Sequence, residues 1–235
     1  MVANSSPSQD TASPKAQDAT GDYTLFEEIL HSVSHGIGAV LSVAGMTALI
    51  VAASLAHDVD AWKLVAFSLY GITLIGLYTT STLYHGSRHP RLKRALQIAD
   101  HCAIYALIAG TYTPFMLVNL RDGPGWLLLA VVWTLALCGI ALKVLWPRRF
   151  TPLRLILYLA MGWLAALAAG DLIATLTPAS LALLISGGVI YTLGVIVFVL
   201  ETLPYNHAIW HAFVLAGSGC HYAAVYIGVL PFTTL

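Results

Sequence analysis

Charged residues are scarce in this chain of 235 residues, which is 58% hydrophobic and only 9% charged. Because a soluble domain carries roughly a quarter charged residues, the composition excludes an ordinary soluble domain and predicts a membrane-embedded protein. The 11 Lys and Arg residues are matched by 11 Asp and Glu residues. Without a basic excess, the bulk charge gives no indication of a nucleic-acid partner.

Cysteine is also rare, and the three that occur (Cys102, Cys138 and Cys220) lie within apolar runs. Their spacing fits neither a disulfide framework nor a zinc knuckle, so we expect small buried side chains. Residues 1–22 lack any apolar period and are rich in Ser, Ala, Asp, Gln, Thr and Pro. This composition predicts a disordered tail before a domain over 23–235. The tail has no short apolar core, which excludes a cleaved signal peptide.

Long apolar runs are the main positive feature of the sequence. Seven of them approach the ~20 residues that a helix needs to cross a bilayer, and they cover residues 31–56, 62–85, 96–118, 126–145, 153–171, 181–200 and 207–230. Backbone polar groups in lipid need partners within their own segment, which open strands do not offer. The sequence therefore predicts an all-α membrane protein, a bundle of seven transmembrane helices.

Basic residues predict the orientation of this bundle, because cytoplasmic loops are enriched in Lys and Arg. If the first residues are cytoplasmic, the helix count places nine basic residues on that side: Lys15, Arg88, Arg91, Lys93, Arg94, Lys143, Arg148, Arg149 and Arg154. The opposite side then carries only Lys63 and Arg121. We therefore expect a cytoplasmic N-terminus and a C-terminus on the outer side.

Histidines gather at the predicted cytoplasmic ends of several helices. His207 and His211 are four residues apart and so share one helix face, while His85 ends the second predicted helix. Imidazole is a good zinc ligand, and three protein ligands with an open position form the catalytic pattern. We predict that His85, His207 and His211 bind Zn²⁺. Asp100 is a candidate to hold the metal's water or act as general base, and Ser81 to orient that water or donate to an oxyanion.

Other polar residues have simpler interpretations. Ser81 could equally be a hydroxyl that packs between helices, and Glu27 and Glu28 are explained by the preference of acids for helix starts. His31 and His35 are open between supporting the metal ligands and packing. His221, deep in the last predicted helix, is expected to pack with a hydrogen-bond partner.

Four stretches together resemble the hemolysin III family, the bacterial branch of the progestin and adipoQ receptor superfamily. They are Glu27-Glu28 with Ser34-His35-Gly36-Ile37-Gly38, Ser81-Thr82-Leu83-Tyr84-His85, Asp100-His101 with Gly110-Thr111-Tyr112-Thr113-Pro114, and residues 203–211 with His221. The resemblance implies seven helices and a zinc ion near the cytoplasmic face, with the ligands, Asp100 and Ser81 as predicted above. It also implies a link to ceramidase-like hydrolases, a role in membrane-lipid homeostasis and residence in the bacterial cytoplasmic membrane.

Three functions are compatible with these features. The first is a zinc-dependent hydrolase of membrane-lipid amides or esters, with the acyl chain in an apolar cavity between helices. The second is a sensor or receptor of membrane state whose zinc is structural. The third, a haemolytic pore-former, is disfavoured because an apolar multi-span chain is typical of a resident of its own membrane. In each case the expected partners are membrane lipids.

Overall fold

The computed structural model describes residues 23–56, 59–200 and 202–230, so the predicted tail over 1–22 lies outside the described residues. Every regular element in this part of the chain is helical, which confirms the all-α prediction. The elements are α1 (Leu25–Ser54), α2 (Ala61–Gly86), α3 (Pro90–Pro114) with a π-helical turn (Phe115–Asn119), α4 (Gly125–Leu145), α5 (Thr151–Gly162) with a 3₁₀ turn (Leu164–Ala168), α6 (Ala169–Thr175), α7 (Pro178–Val199) and α8 (Asn206–Gly228).

Capping residues move two helix starts ahead of the predicted apolar segments. Thr24 and Glu27 form a reciprocal capping box, so α1 begins at Leu25 instead of at residue 31. Similarly, α3 begins at Pro90, where the missing N–H costs nothing. As a result Arg91, Lys93 and Arg94, assigned above to a loop, lie on the first turns of α3.

The fifth predicted helix, over 153–171, lies within one candidate membrane span, but the helix in that span is not continuous. Helix α5 ends at Gly162 and resumes through a 3₁₀ turn into α6. The hydroxyl of Tyr112 donates to the Met161 carbonyl at 2.7 Å and accepts the Ala165 N–H at 2.8 Å. These bonds satisfy backbone groups that the break releases, which a break inside a membrane requires.

Six helical rods in the described part of the chain have the length and composition to cross a membrane. They are 25–54, 61–86, 90–119, 125–145, 152–175 and 178–199, where the fifth includes α5, the 3₁₀ turn and α6. The remaining rod, α8, has 23 residues but carries three histidines. These polar side chains lower its hydropathy, and its crossing of the membrane stays a prediction.

The packing order brings the first, second and last helices together. Helix α1 packs against α2 and α8, and α8 packs against α7. Gly38 permits the close approach, because a Cβ there would lie 2.6 Å from the Tyr78 ring of α2 and 2.9 Å from Leu215 of α8. The inward stripe of α1 that reaches this contact begins with His31 and His35. Helices far apart in sequence therefore meet beside these histidines.

Candidate metal centre

Five histidines from three helices lie together at one end of the bundle. His31 and His35 lie one turn apart on the buried stripe of α1. His85 is in the last turn of α2, and His207 and His211 occupy the first turns of α8. The spacing of four residues in both pairs places each pair on one helix face. The fold thus brings together imidazoles that the chain separates widely.

The three predicted ligands meet through the same ring atom. The Nε2 atom of His207 lies 3.2 Å from Nε2 of His85 and 3.1 Å from Nε2 of His211. Nitrogen bonds to zinc of about 2.0–2.1 Å at tetrahedral angles separate the ligand nitrogens by roughly 3.3 Å. The two observed separations are close to this value, so these imidazoles could approach one metal ion.

Hydrogen bonds at the far side of two rings assign their tautomers. Nδ1 of His85 lies 2.7 Å from Oε2 of Glu28, and a carboxylate only accepts, so Nδ1 carries the proton. Nδ1 of His211 lies 3.2 Å from the hydroxyl oxygen of Ser34, whose own proton goes to the His31 carbonyl at 2.9 Å. In the neutral rings, both Nε2 atoms then present lone pairs to His207.

His207 cannot satisfy both of these lone pairs. One ring nitrogen carries at most one proton, directed along a single line in the ring plane. Its other nitrogen, Nδ1, is buried with no hydrogen-bond partner among the described residues. Three nitrogens therefore converge with at most one proton between them, an arrangement that a cation would satisfy and that burial penalises.

His31 is a fourth imidazole at this point. Its ring centroid lies 4.7 Å from that of His85, 4.6 Å from that of His207 and 5.1 Å from that of His211. One nitrogen each from His31, His85 and His207 lie within 4.8 Å of one another, a group that could hold a metal ion. Both nitrogens of His31 are buried and lack a partner in the described part of the chain. This group contains two of the three predicted ligands, with His31 in the place of His211. The role of His211 as a ligand stays a prediction.

The rings of His35 and Tyr23 pack against the other histidines of the cluster. His35 stacks on His211 with centroids 3.6 Å apart and planes 8° from parallel. Tyr23, just before α1, lies edge-on to His31 at 4.9 Å and tilted against His207 at 5.0 Å. Stacking restricts the ring of His211 to one orientation, which keeps its Nε2 aimed at the centre of the cluster.

Ser81 and Asp100 are adjacent to each other beside the cluster. Ser81 is buried one turn before His85 and lies close to the Asp100 carboxyl of α3. Both residues line the same cavity as His207 and His211. Among the described residues, neither hydrogen-bonds directly to a histidine ring of the cluster. Their predicted roles in catalysis therefore stay predictions, with a location consistent with them.

The cavity that these residues line has a volume of about 190 Å³ and mostly apolar walls. Its lining comes from α1, α2, α3, α5, α7 and α8, and includes Gly162 and Trp163 at the break after α5. Asp100 and His211 lie at the end beside the histidine cluster, and His221 lies farther along α8. Ten residues of helix from His211 to His221 correspond to about 15 Å. We call this cavity, whose walls are mostly apolar, the apolar tunnel.

Two other histidines that line the cavity lie outside the cluster. Nε2 of His221 donates to the Leu184 carbonyl at 3.1 Å, which agrees with the predicted packing role. The backbone carbonyl of His101 accepts the hydroxyl of Tyr158 at 2.9 Å. Because His101 lines the cavity but is not part of the cluster, its replacement is a control for substitutions in the cluster.

Sequence reasoning assigned no supporting role to Glu28 or Ser34. The signal was present, since Glu28, His31, Ser34 and His35 recur at the spacing of one α-helical face. Glu27 matches its prediction as a capping residue, whereas Glu28 points inward to His85 and also forms an ion pair with Lys93. Carboxylate support of a ligating imidazole is the usual second element of histidine metal sites.

Fold and site together define a multi-pass helical membrane protein with a buried histidine cluster that could hold a metal ion. Residues 23–222 match the family described as Haemolysin-III related, and the chain belongs to that family. It is 47% identical over 205 residues to Hemolysin-3 of Bacillus cereus, covering 87% of this chain and 93% of that protein.

Two further relatives extend the comparison. The Hemolysin-3 homolog of Bacillus subtilis (strain 168) is 43% identical over 212 residues, which cover 89% of this chain and 99% of that protein. The monocyte to macrophage differentiation factor of Homo sapiens is 30% identical over 224 residues, covering 88% of this chain and 87% of that protein. The likeness therefore extends along almost the whole chain in both bacterial and animal relatives.

Proposed function

We propose that the protein is a zinc-dependent hydrolase that cleaves an amide or ester bond of a membrane lipid. The observation that supports this most is the convergence of three imidazole nitrogens, two of which belong to histidines that line the apolar tunnel. A lipid whose acyl chain occupies the tunnel would present its carbonyl at the cluster. In this proposal His85, His207 and His211 hold the ion, with Glu28 and Ser34 fixing two of the rings.

Bound zinc would act as a Lewis acid on the carbonyl and lower the pKa of water to about 7. In this proposal Asp100 takes the proton from the attacking water and passes it to the leaving amine or alcohol. Ser81 holds the Asp100 carboxyl or donates to the developing oxyanion. The products would be a fatty acid and an amine or alcohol, and the tunnel would hold the acyl part throughout.

We further propose that the domain begins near residue 23 after a 22-residue tail, and that it lies in the bacterial cytoplasmic membrane with a cytoplasmic N-terminus. The distribution of basic residues supports this orientation. The two Bacillus relatives support a bacterial setting. In this orientation the histidine cluster lies near the cytoplasmic surface.

The test is hydrolysis of a ceramide-like acyl amide and the matching acyl ester by the purified, zinc-loaded protein. We expect His207→Ala and His211→Ala to lose both zinc and activity. His101→Ala is the matched control, because His101 lines the same cavity without joining the cluster, and it should keep its zinc. Activity that persists in both cluster variants would refute the mechanism.

A second candidate function is a sensor or receptor of membrane state with structural zinc. His31 supports it, because a fourth imidazole beside the three could close the site and leave no open position. Structural metal contributes directly to folding. Chelation should then lower the melting temperature of the protein strongly, and an unchanged melting temperature would remove this candidate.

A further inference from the structure

A second depression, with a volume of about 440 Å³, opens between α1, the end of α2 and the start of α3. We call it the α1–α3 groove. Apart from His85 it shares no residue with the lining of the apolar tunnel or with the predicted ligands. It is lined by Leu25, Glu28, Ile29, Ser32, Val33, His85, Gly86, Ser87, Arg88 and Lys93. Two of these are cations and one is an anion.

The charges in the groove do not cancel. Lys93 forms an ion pair with Oε1 of Glu28, whose other oxygen accepts from His85. Arg88 has no acidic partner in the described part of the chain. The formal charge of the three ionised groups, Arg88 and Lys93 against Glu28, is therefore positive by one. Such a groove favours a ligand with net negative charge.

One wall of the groove is apolar and continues along the surface of α1. Leu25, Ile29 and Val33 lie one turn apart and are 59%, 52% and 55% exposed. Ile37 and Leu41 extend the same row, also more than half exposed. Sixteen residues of helix correspond to about 24 Å. A ligand in the groove could therefore place an apolar chain along this row of side chains, whereas a free anion would not contact the row.

We propose that the α1–α3 groove binds the headgroup of an anionic glycerophospholipid. Arg88 and Lys93 donate to its phosphate oxygens, for which a guanidinium offers a two-pronged contact. One acyl chain lies along the row from Leu25 to Leu41. The positive balance of the groove selects a net-negative headgroup over a zwitterionic one.

The experiment is mass spectrometry of the intact full-length protein in detergent, supplied with equal amounts of phosphatidylglycerol and phosphatidylcholine that carry the same acyl chains. We expect one retained phosphatidylglycerol per protein in preference to phosphatidylcholine. Arg88→Gln should reduce that retention about five-fold, since one basic residue near an anionic lipid contributes about 1 kcal/mol. Arg88→Lys keeps the charge but not the two-pronged contact, and should restore part of it.

Two variants provide matched controls. Arg91 and Arg94 are exposed on the first turns of α3 and do not line the groove. Arg91→Gln and Arg94→Gln should leave the retained lipid unchanged, and an equal loss in all three glutamine variants would overturn the proposal in favour of diffuse charge.

Three further results would also overturn it. The first is equal retention of the two lipids by the wild-type protein. The second is displacement of phosphatidylglycerol by inorganic phosphate at comparable concentration, which would indicate a site for free anions. The third is a failure of Arg88→Lys to retain lipid while its circular dichroism matches wild type. This readout needs neither metal nor hydrolysis, so its outcome is independent of the proposed activity.

Discussion

Replacement of Glu28 tests whether the carboxylate behind His85 supports a metal ligand. Its hydrogen bond to Nδ1 of His85 is short, at 2.7 Å, and is the contact that fixes the tautomer with a free Nε2 lone pair. A hydrogen bond to a charged group contributes about 1.5–3 kcal/mol. Loss of such a supporting partner weakens metal binding about 10–100-fold, or about 1.4–2.7 kcal/mol.

We therefore expect Glu28→Ala to weaken zinc binding about 10–100-fold. Glu28→Gln keeps an acceptor oxygen and loses only the charge, so the neutral hydrogen bond that remains should contribute about 1 kcal/mol. The loss of zinc affinity should therefore be smaller than in Glu28→Ala, roughly 3–10-fold. The measurement is competition for zinc with a chelator of known affinity, at constant ionic strength, on purified protein.

Glu27→Ala is the matched control, because the chain places two glutamates side by side with different contacts. Among the described residues, Glu27 hydrogen-bonds only to Thr24, in the capping box of α1. Its removal should cost about 1 kcal/mol of folding stability and leave zinc affinity unchanged. Equal zinc affinities in Glu27→Ala and Glu28→Ala would refute the supporting role of Glu28.

Two further substitutions test how the bundle is built. Tyr112→Phe should lower the free energy of unfolding by about 1–3 kcal/mol, because it leaves backbone groups at the break of the fifth rod unpaired. Tyr222→Phe, which removes a single bond to a helical carbonyl at 3.1 Å, should cost less, and the reverse order in denaturant titrations would contradict this account. Gly110→Ala should cost about 1–3 kcal/mol by overpacking, because its Cβ would lie 2.1 Å from Oγ1 of Thr73. A Cβ at Gly76 would have no atom of the described residues within 4 Å, so Gly76→Ala should be neutral or slightly stabilising in the same titrations. A loss of stability as large as that of Gly110→Ala would contradict the steric explanation.

Most of the helical architecture could be predicted from the apolar runs, since their length and composition follow directly from burial in lipid. The starts of α1 and α3 could not, because capping by Thr24 and His89 extends each helix into polar sequence. The break after Gly162 was also missed. It depends on the hydroxyl of Tyr112, which reaches it from about 50 residues away in the chain.

The candidate ligands could be predicted where the interval between residues and their position in a predicted helix were enough to place them on one side of the membrane. His207 and His211 follow from a four-residue interval, and His85 from its position at a helix end on the same predicted side. The contact of Glu28 with His85 was not predictable, because it depends on how α1 turns against α2. The same holds for His31, whose approach to His207 depends on the packing of α1 against α8.

The separation of His85 and His207 by 122 positions has a consequence for biogenesis. The ribosome must synthesise the chain as far as α8 before all three nitrogens exist in one place, so the ion of the proposed site could be captured only late in assembly. The ion would then link α2 to α8. If this ion is zinc, as proposed, scarcity of zinc during synthesis should reduce the amount of folded protein before it changes any chemistry.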